Sequence, residues 1–394
     1  MTPTANSRSL VAIACGGTGG HLFPGLAVAE QLQRRGCDVA LLISPKEIDQ
    51  QAVKNTTNLE VFTLPAVALQ NANYFSFSSA FVKSLISTGK IFRRRKPAAV
   101  LAMGGFTSAP PVLAAKAMGA KTFLHESNTI PGRANRLLAR FVDAAFIGFP
   151  ESAGRLGAKN HLLTGTPVRP QFSPVYRPAF APSECRVALG LKASLPTILV
   201  VGGSQGAHGL NKLVLAALPL LTNCGWQWLH LTGANDFEKV KSTYARHGIS
   251  AVVKPFLKEM ELALGAATAA VSRAGASSLA EMAAMQVVTL LVPLPTAADN
   301  HQYFNARAFE KSGAARVIEQ KSSTPEDLAK LLTELVDDET KRQQFKTALA
   351  QWYAPEAATQ IAQNMVMQLG EKFVPGKPRY DGAETGSMDL KIVT

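Results

Sequence analysis

VAIACGGTGGHLFPGLAVAEQL, from Val11 to Leu32, passes from an apolar run through four glycines in five positions to a histidine and a second apolar stretch. The run up to Cys15 is short and continuously apolar, the pattern of a strand buried on both faces, and the residues from about Pro24 recur with helical spacing. Gly16, Gly17, Gly19 and Gly20 lie between the two elements, with Thr18 among them. A strand that ends in glycines and feeds a helix aims backbone N–H groups and the positive end of a helix dipole at one spot, which suits phosphate or another anion. The steric alternative is a tight turn that lets helix and strand pack closely. The stretch does not fit the common nucleotide fingerprints. A G-x-G-x-x-G starting at Gly17 would need glycine where Leu22 stands, and no G-x-x-x-x-G-K-[ST] occurs.

The same pattern returns twice. Gly104-Gly105-Phe106-Thr107-Ser108 follows the apolar run AAVLAM, and Gly202-Gly203-Ser204-Gln205-Gly206 follows TILVV. Apolar runs alternating with helical patterns predict an α/β fold with parallel sheets covered on both faces, whose ligands sit at the carboxyl ends of the strands. Near residue 165 the texture changes to GTPVRPQFSPVYRPAFAPSE, rich in proline and without period, which marks a linker. The chain therefore divides into two similar units, residues 1–168 and 169–353, with the helical segment 354–370 joining the first unit and a flexible polar tail over 371–394.

A chain of 394 residues, 47% hydrophobic and 18% charged, has room for two cores. Forty-one basic residues against twenty-eight acidic ones leave a net charge of +13, which favours an anionic partner: nucleic acid, acidic lipid or a phosphorylated substrate. The basic residues are spread widely and form no nucleic-acid recognition motif. Cys15, Cys37, Cys185 and Cys224 lack disulfide or zinc spacing, which fits a reducing cytoplasm and no bound metal. The start MTPTANSRS has no signal-peptide pattern, and no apolar run reaches the roughly 18 residues that span a bilayer. The expectation is a chain neither exported nor membrane-spanning.

Taken together, GGTGGHLFPGLAVAEQL, MGGFTSAPPVLAA, HESN, GTPVR, GGSQGA, SRAGASSLAE and DNHQYFNA occur in the order and spacing of the MurG family, which the chain resembles from about Leu10 to Leu369. The resemblance implies a GT-B fold: two Rossmann-like, doubly wound parallel-sheet domains facing across a cleft. It also implies an inverting glycosyltransferase that moves GlcNAc from UDP-GlcNAc to the C4 hydroxyl of lipid I, the undecaprenyl-linked muramyl pentapeptide, to give lipid II. Peripheral attachment to an anionic membrane at the cytoplasmic face of the bacterial cell, contacts with other cell-wall synthesis proteins, no nucleic-acid partner and no cofactor follow from the same resemblance. Two other functions stay open: a transferase of this architecture for another lipid such as diacylglycerol, and a non-catalytic module that binds a nucleotide sugar.

His21 stands at the start of a helix, where the dipole disfavours the imidazolium and keeps a neutral base for a sugar hydroxyl. Its plain alternative is a hydrogen-bonding cap of the loop. The resemblance makes His21 and Asn128 catalytic candidates, and it places the acceptor pyrophosphate at Gly16, Gly17, Gly104 and Gly105. In HESN, Ser127 replaces the glutamine more common in the family. For UDP-GlcNAc the resemblance implies Thr18, Gly19, Gly20, Asn128, Arg169, Ser204, Leu257, Ala276, Ser277, Ser278, Leu279, Ala280, Glu281 and Gln302. Of these, Glu281 takes the ribose hydroxyls, the Leu257 backbone meets the uracil, and Gln302 meets the GlcNAc hydroxyls. Read alone, Ser278 and Glu281 have capping-box spacing, Gln302 belongs to a solvated loop, and Arg169 is a solvated linker arginine. His301 stands where some relatives carry a second glutamine.

No Asp-x-Asp pair is present to hold a divalent cation against the departing UDP, so helix dipoles and loop amides are the available substitute. In YFSFSSAFVKSLISTGKIFRRRKP, the residues Phe77, Phe81, Leu85 and Phe92 share a helical face followed by Arg93-Arg94-Arg95-Lys96. That combination suits an anionic bilayer surface, or a core helix ending in solvated charge.

Overall fold

The computed structural model describes residues 8–54, 59–65, 74–173, 181–203 and 206–370. The expectation of a flexible tail over 371–394, and the donor role of Ser204, lie outside the described residues.

The first unit runs β1 (Leu10–Ala14), α1 (Gly19–Arg34), β2 (Asp38–Ile43), α2 (Glu47–Val53), β3 (Glu60–Thr63), α3 (Tyr74–Arg94), β4 (Ala99–Ala102), α4 (Ala109–Ala117), β5 (Lys121–Glu126), α5 (Arg133–Leu138), β6 (Ala144–Ile147), α6 (Ala153–Leu156) and β7 (His161–Leu163). Its seven strands lie in the order β3-β2-β1-β4-β5-β6-β7, all parallel. The second unit runs α7 (Pro182–Ala188), β8 (Thr197–Val201), α8 (His208–Ala217), β9 (Gln227–Leu231), α9 (Phe237–Arg246), β10 (Ala251–Lys254), α10 (Met260–Ala266), β11 (Ala269–Ser272), α11 (Ala276–Met285), β12 (Thr289–Leu291), α12 (His301–Lys311), β13 (Arg316–Val317), α13 (Pro325–Asp337) and α14 (Glu339–Ala350). Its six parallel strands lie in the order β10-β9-β8-β11-β12-β13. The last helix, α15 (Ala357–Gln368), crosses back and lies against α1.

Alternation along each central strand decides which helices cover which face. Val11 and Ile13 point toward Val28 and Leu32 of α1 and Ile361 and Met365 of α15, while Ala12 and Ala14 point toward Phe92 of α3 and Val112 of α4. In the second unit Ile198 and Val200 face Leu210 and Val214 of α8, while Leu199 and Val201 face Leu264 of α10. Both faces are dry, so the strand sequences read as unbroken apolar runs.

Strand order also locates the ligand crevice. From β1 the chain winds outward through β2 and β3, then returns to β4 on the other side; β8, β9, β10 and β11 repeat this. The two reversal points, β1/β4 and β8/β11, are where open α/β sheets bind ligands. The first two glycine loops, Gly202, Gly203 and Gly206 of the third, and the turn at Arg273–Gly275 all lie there.

Two local expectations are corrected. Helix α1 begins at Gly19 with Thr18 as its N-cap, and Pro24 lies inside it. Its apolar face, and hence the visible period, starts later than the helix itself. In α3 the face formed by Phe81, Leu85 and Phe92 packs into the first unit's core, with Phe92 buried, and does not face outward. The solvent side instead carries Val82 and Ile86, 51% and 53% exposed, beside the exposed Lys83, Lys90, Arg93 and Arg94.

Candidate active site

The first glycine loop is fixed from below. A side chain at Gly16 would put a Cβ 2.3 Å from the Ser44 backbone nitrogen at the end of β2, so only glycine fits. Asp49, wholly buried on α2, accepts hydrogen bonds from the Gly17 N–H at 2.7 Å, the Ser44 N–H at 3.2 Å and the Ser44 hydroxyl at 2.5 Å. Lys46 Nζ donates to the Gly17 carbonyl at 2.8 Å. This corrects the expected role of Gly17, because its amide is committed to a carboxylate and is not offered to a phosphate. The amides at the start of α1, at Gly19 and Gly20, keep the geometry expected of an anion seat.

His21 occupies the first turn of α1. Its Nδ1 lies 3.2 Å from Thr18 Oγ1, so the tautomer with hydrogen on Nδ1 leaves a lone pair on Nε2. The ring lies across the second glycine loop: a Cβ on Gly104 would be 3.0 Å from Nε2, and one on Gly105 would be 3.2 Å from Nδ1. Both glycines have positive φ, 108° and 77°, so the loop keeps its shape and leaves room for the imidazole. Desolvation takes the His21 pKa down to about 4, partly opposed by Asp49 and reinforced by His301 and Lys46. The imidazole is therefore neutral near pH 7.

The HESN segment ends β5 in a buried polar knot. Glu126 accepts from Asn128 N–H (2.9 Å), Asn128 Nδ2 (3.1 Å), Gly132 N–H (2.9 Å) and Asn135 Nδ2 (2.9 Å). Burial pushes its carboxyl up, and these four donors pull it back. His125 spans Ser127 Oγ at 3.1 Å and the Gly165 carbonyl at 3.0 Å, tying β5 to the GTPVR turn; burial lowers its pKa to about 4. Asn128, expected at the donor sugar, uses its Oδ1 to accept from Asn305 Nδ2 of the second unit at 3.0 Å.

On the second unit, α11 opens at Gly275, an extended N-cap without a side-chain cap, and Ser278 lies within the first turn. This removes the capping-box explanation of Ser278 and Glu281. The Glu281 carboxylate instead meets Arg169 Nη2 at 3.2 Å, both side chains only 13% and 15% exposed. The Arg169 guanidinium lies over the rings of Phe23 and Phe172, with 4.1 and 4.8 Å to their centroids. A linker arginine is thus clamped between the units and holds the carboxylate at the cleft. Burial raises the Glu281 pKa, and Arg169 opposes the rise.

Gln302 Oε1 accepts from the Leu294 N–H at 3.0 Å and the Ala274 N–H at 3.3 Å, which fixes the amide and leaves Nε2 as the free end. It lines a pocket of about 380 Å³ together with Gly206, Arg273 and Leu294. Leu257 is buried in the core beside α10. Ala276 and Leu279 are buried, and Ser277, Ser278 and Ala280 are partly exposed.

The units touch through several of these residues. Ser277 Oγ donates to the Gly20 carbonyl at 2.8 Å, which brings the N-termini of α1 and α11 together. Asn305, wholly buried, accepts from Thr129 N–H and Oγ1 at 2.9 and 3.0 Å. Asp299 pairs with Arg133 and Arg136 of α5 at 3.2 and 2.9 Å. Two positive helix ends facing each other are unfavourable until an anion lies between them.

The roles of Asp49, Asn305 and Asp299 are not legible in the sequence. Asp49 carries no local signal, being 32 positions from Gly17. Asn305 and Asp299 stand inside DNHQYFNA, but their partners lie on the other unit.

Two Rossmann-like units whose switch points face across a cleft define a protein of the GT-B fold class. Models of the glycosyltransferase family 28 N-terminal domain and C-terminal domain match residues 11–147 and 197–365, and the chain belongs to this family, in its MurG branch. The relative in Anaeromyxobacter dehalogenans, 37% identical over 368 residues (91% of this chain and 92% of its own), is named UDP-N-acetylglucosamine--N-acetylmuramyl-(pentapeptide) pyrophosphoryl-undecaprenol N-acetylglucosamine transferase. A relative of the same name from Parasynechococcus marenigrum is 41% identical over 311 residues, 78% of this chain and 82% of its own. The crystal structure of Acinetobacter baumannii MurG superposes with a TM-score of 0.69 at 28% identity, covering 91% of this chain and 99% of that one.

Proposed function

We propose that this chain transfers GlcNAc from UDP-GlcNAc to the C4 hydroxyl of lipid I with inversion, forming lipid II for peptidoglycan. The observation that carries this reading is the meeting of the α1 and α11 N-termini beside a neutral His21 seated over Gly104. His21 Nε2 takes the proton of the C4 hydroxyl as it attacks the anomeric carbon. The bond from that carbon to the UDP oxygen breaks in the same step, and the facing helix ends stabilise the charge that develops on the diphosphate. Glu281, held by Arg169, accepts the ribose hydroxyls, Leu257 borders the uracil, and Gln302 Nε2 donates to a GlcNAc hydroxyl. Ser204, by the family resemblance, also contacts the donor. Asn128 acts by holding the units in register through Asn305.

Peripheral attachment to the cytoplasmic face of the membrane fits the lipid-linked acceptor. It draws support from the outer side of α3, where Val82 and Ile86 lie beside four exposed basic residues. No helix of the described residues is long and apolar enough to cross a bilayer. The test incubates purified protein with radiolabelled UDP-GlcNAc and either lipid I or diacylglycerol, with and without EDTA. Label in lipid I in both conditions is expected. Label in diacylglycerol alone, or donor binding without transfer, overturns the assignment.

A further inference from the structure

The carboxylate beneath the first glycine loop supplies more than the loop needs. Asp49 is wholly buried, and one of its oxygens, Oδ2, accepts from all three of its donors: the Gly17 N–H at 2.7 Å, the Ser44 hydroxyl at 2.5 Å and the Ser44 N–H at 3.2 Å. The other, Oδ1, is buried and has no partner. All three donors are neutral, and no cation pairs with Asp49 among the described residues. Lys46, three positions away, gives its Nζ to the Gly17 carbonyl at 2.8 Å instead. A neutral amide oxygen could accept the same hydrogen bonds, whereas a buried charge without a counter-charge costs stability.

His21 is where that counter-charge can appear. Its ring lies across the second glycine loop, and a Cβ on Gly105 would meet both His21 Nδ1 at 3.2 Å and the Gly16 carbonyl at 3.7 Å. The imidazole therefore rests against the loop that Asp49 holds. Burial favours the neutral ring and Asp49 opposes it, while His301 and Lys46 act in the same sense as burial. In the free protein burial prevails, the ring is neutral and the Asp49 charge stays uncompensated. Once the ring takes a proton, opposite charges face each other across the loop.

Resting on the reading of His21 as the base, we propose that Asp49 is a positioning residue for glycosyl transfer, whose uncompensated carboxylate stabilises the imidazolium that forms at His21 as the acceptor hydroxyl is deprotonated. The hydroxyl proton moves to His21 Nε2, the hydroxyl oxygen bonds to the anomeric carbon, and the electron pair of the breaking bond leaves with UDP. Asp49 takes no proton and touches no substrate. Its attraction for the ring is weak while the ring is neutral and strong once the ring is charged, so it lowers the barrier without tightening either substrate. Burial keeps water from screening that attraction.

The test is a double-variant cycle in steady-state transfer of radiolabelled GlcNAc to lipid I, with wild type, Asp49→Asn, His21→Ala and the two combined. Asparagine keeps the size of the side chain and an oxygen for the Gly17 amide, and removes the charge. The expected result is kcat about tenfold lower in Asp49→Asn than in wild type at unchanged donor KM, and within about twofold of His21→Ala in the combined variant. A loss of kcat as large without His21 as with it shows that Asp49 serves the loop alone and overturns the proposal. Because a change at a buried position can impair folding, Lys46→Met is the second variant. Lys46 is exposed, and its charge opposes the imidazolium. Its removal should raise kcat about twofold with His21 present and leave His21→Ala unchanged. A fall in kcat, or a change that persists without His21, overturns the proposal. His21→Ala as fast as wild type removes the base and this proposal with it. Wild type that labels lipid I while the cycle is additive sinks this inference alone, whereas wild type that labels no lipid I sinks the functional reading as well.

Discussion

Ser277 Oγ donates to the carbonyl of Gly20 at 2.8 Å, across the cleft between the two units. That carbonyl is free because the residue four places on is Pro24, which has no N–H to give it. A proline inside α1 thus costs the helix one hydrogen bond and supplies the second unit with an acceptor. Ser277→Ala should leave the melting temperature within a few degrees and raise the donor KM, since the lost bond contributes only about 1 kcal/mol. Pro24→Ala restores a competing N–H and should act in the same direction. The double variant should be no worse than Ser277→Ala alone, and additive losses in kcat/KM would refute the link.

Gly104 is held to glycine by His21. Gly104→Ala imposes a side chain at φ 108° and a Cβ 3.0 Å from Nε2, so the imidazole must move. Turnover should fall by about a hundredfold, the scale of a displaced general base, with UDP affinity unchanged because Glu281 and Arg169 lie apart from it. His21→Ala should show the same split. Equal loss of UDP binding in either variant would count against His21 as the base.

Glu281→Ala should weaken UDP binding at nearly unchanged maximal rate, the reverse of His21→Ala. It also leaves the Arg169 guanidinium without its carboxylate, so stability should fall by about 2 kcal/mol after allowance for partial exposure. Urea unfolding of Glu281→Ala and Arg169→Met separates the two effects. Adding Arg169→Met to Glu281→Ala should restore stability if the orphaned guanidinium is the cause, whereas Arg169→Met alone strands the Glu281 carboxylate and should also be destabilising.

Acid should destabilise the chain through its buried histidines. His125 and His230 fold with pKa values near 4 and 3, lowered by burial, below the unfolded value of about 6.5. The unfolded state therefore binds the extra protons as pH falls below about 6.5, and stability declines until the folded pKa is passed, by about 2 kcal/mol per histidine at pH 5. Urea midpoints measured between about pH 7.5 and 5 should fall steadily, and His230→Gln should flatten the slope. A constant midpoint over that range would show that these rings are not neutral in the folded state.

Asn305→Ala should loosen the units. It removes the acceptor for Thr129 and the donor to Asn128, leaving buried groups unpaired, so a loss of about 2–3 kcal/mol is expected. Asn305→Asp, which keeps the acceptor for Thr129 but sets a second oxygen against Asn128 Oδ1, should do no better. A melting temperature equal to wild type in either variant would show that this contact does not hold the cleft.

The doubled α/β pattern was legible in the sequence because a strand buried on both faces must be apolar throughout, and the glycine loops were legible because positive φ and close backbone approach admit little else. His21 could be placed at a helix start for the same local reasons. What the chain order hid was every relationship between distant segments: Asp49 under Gly17, Arg169 between Phe23 and Phe172, Asn305 against Asn128. The inward turn of Phe92 was hidden too, since a periodic face says that something covers it and not whether that is lipid or the protein's own core. Local sequence thus determined the elements and their special backbone positions, whose causes act over a few residues. Tertiary structure decided which carboxylate, ring or carbonyl meets each functional group, because those partners are set by how two sheets and their helices pack.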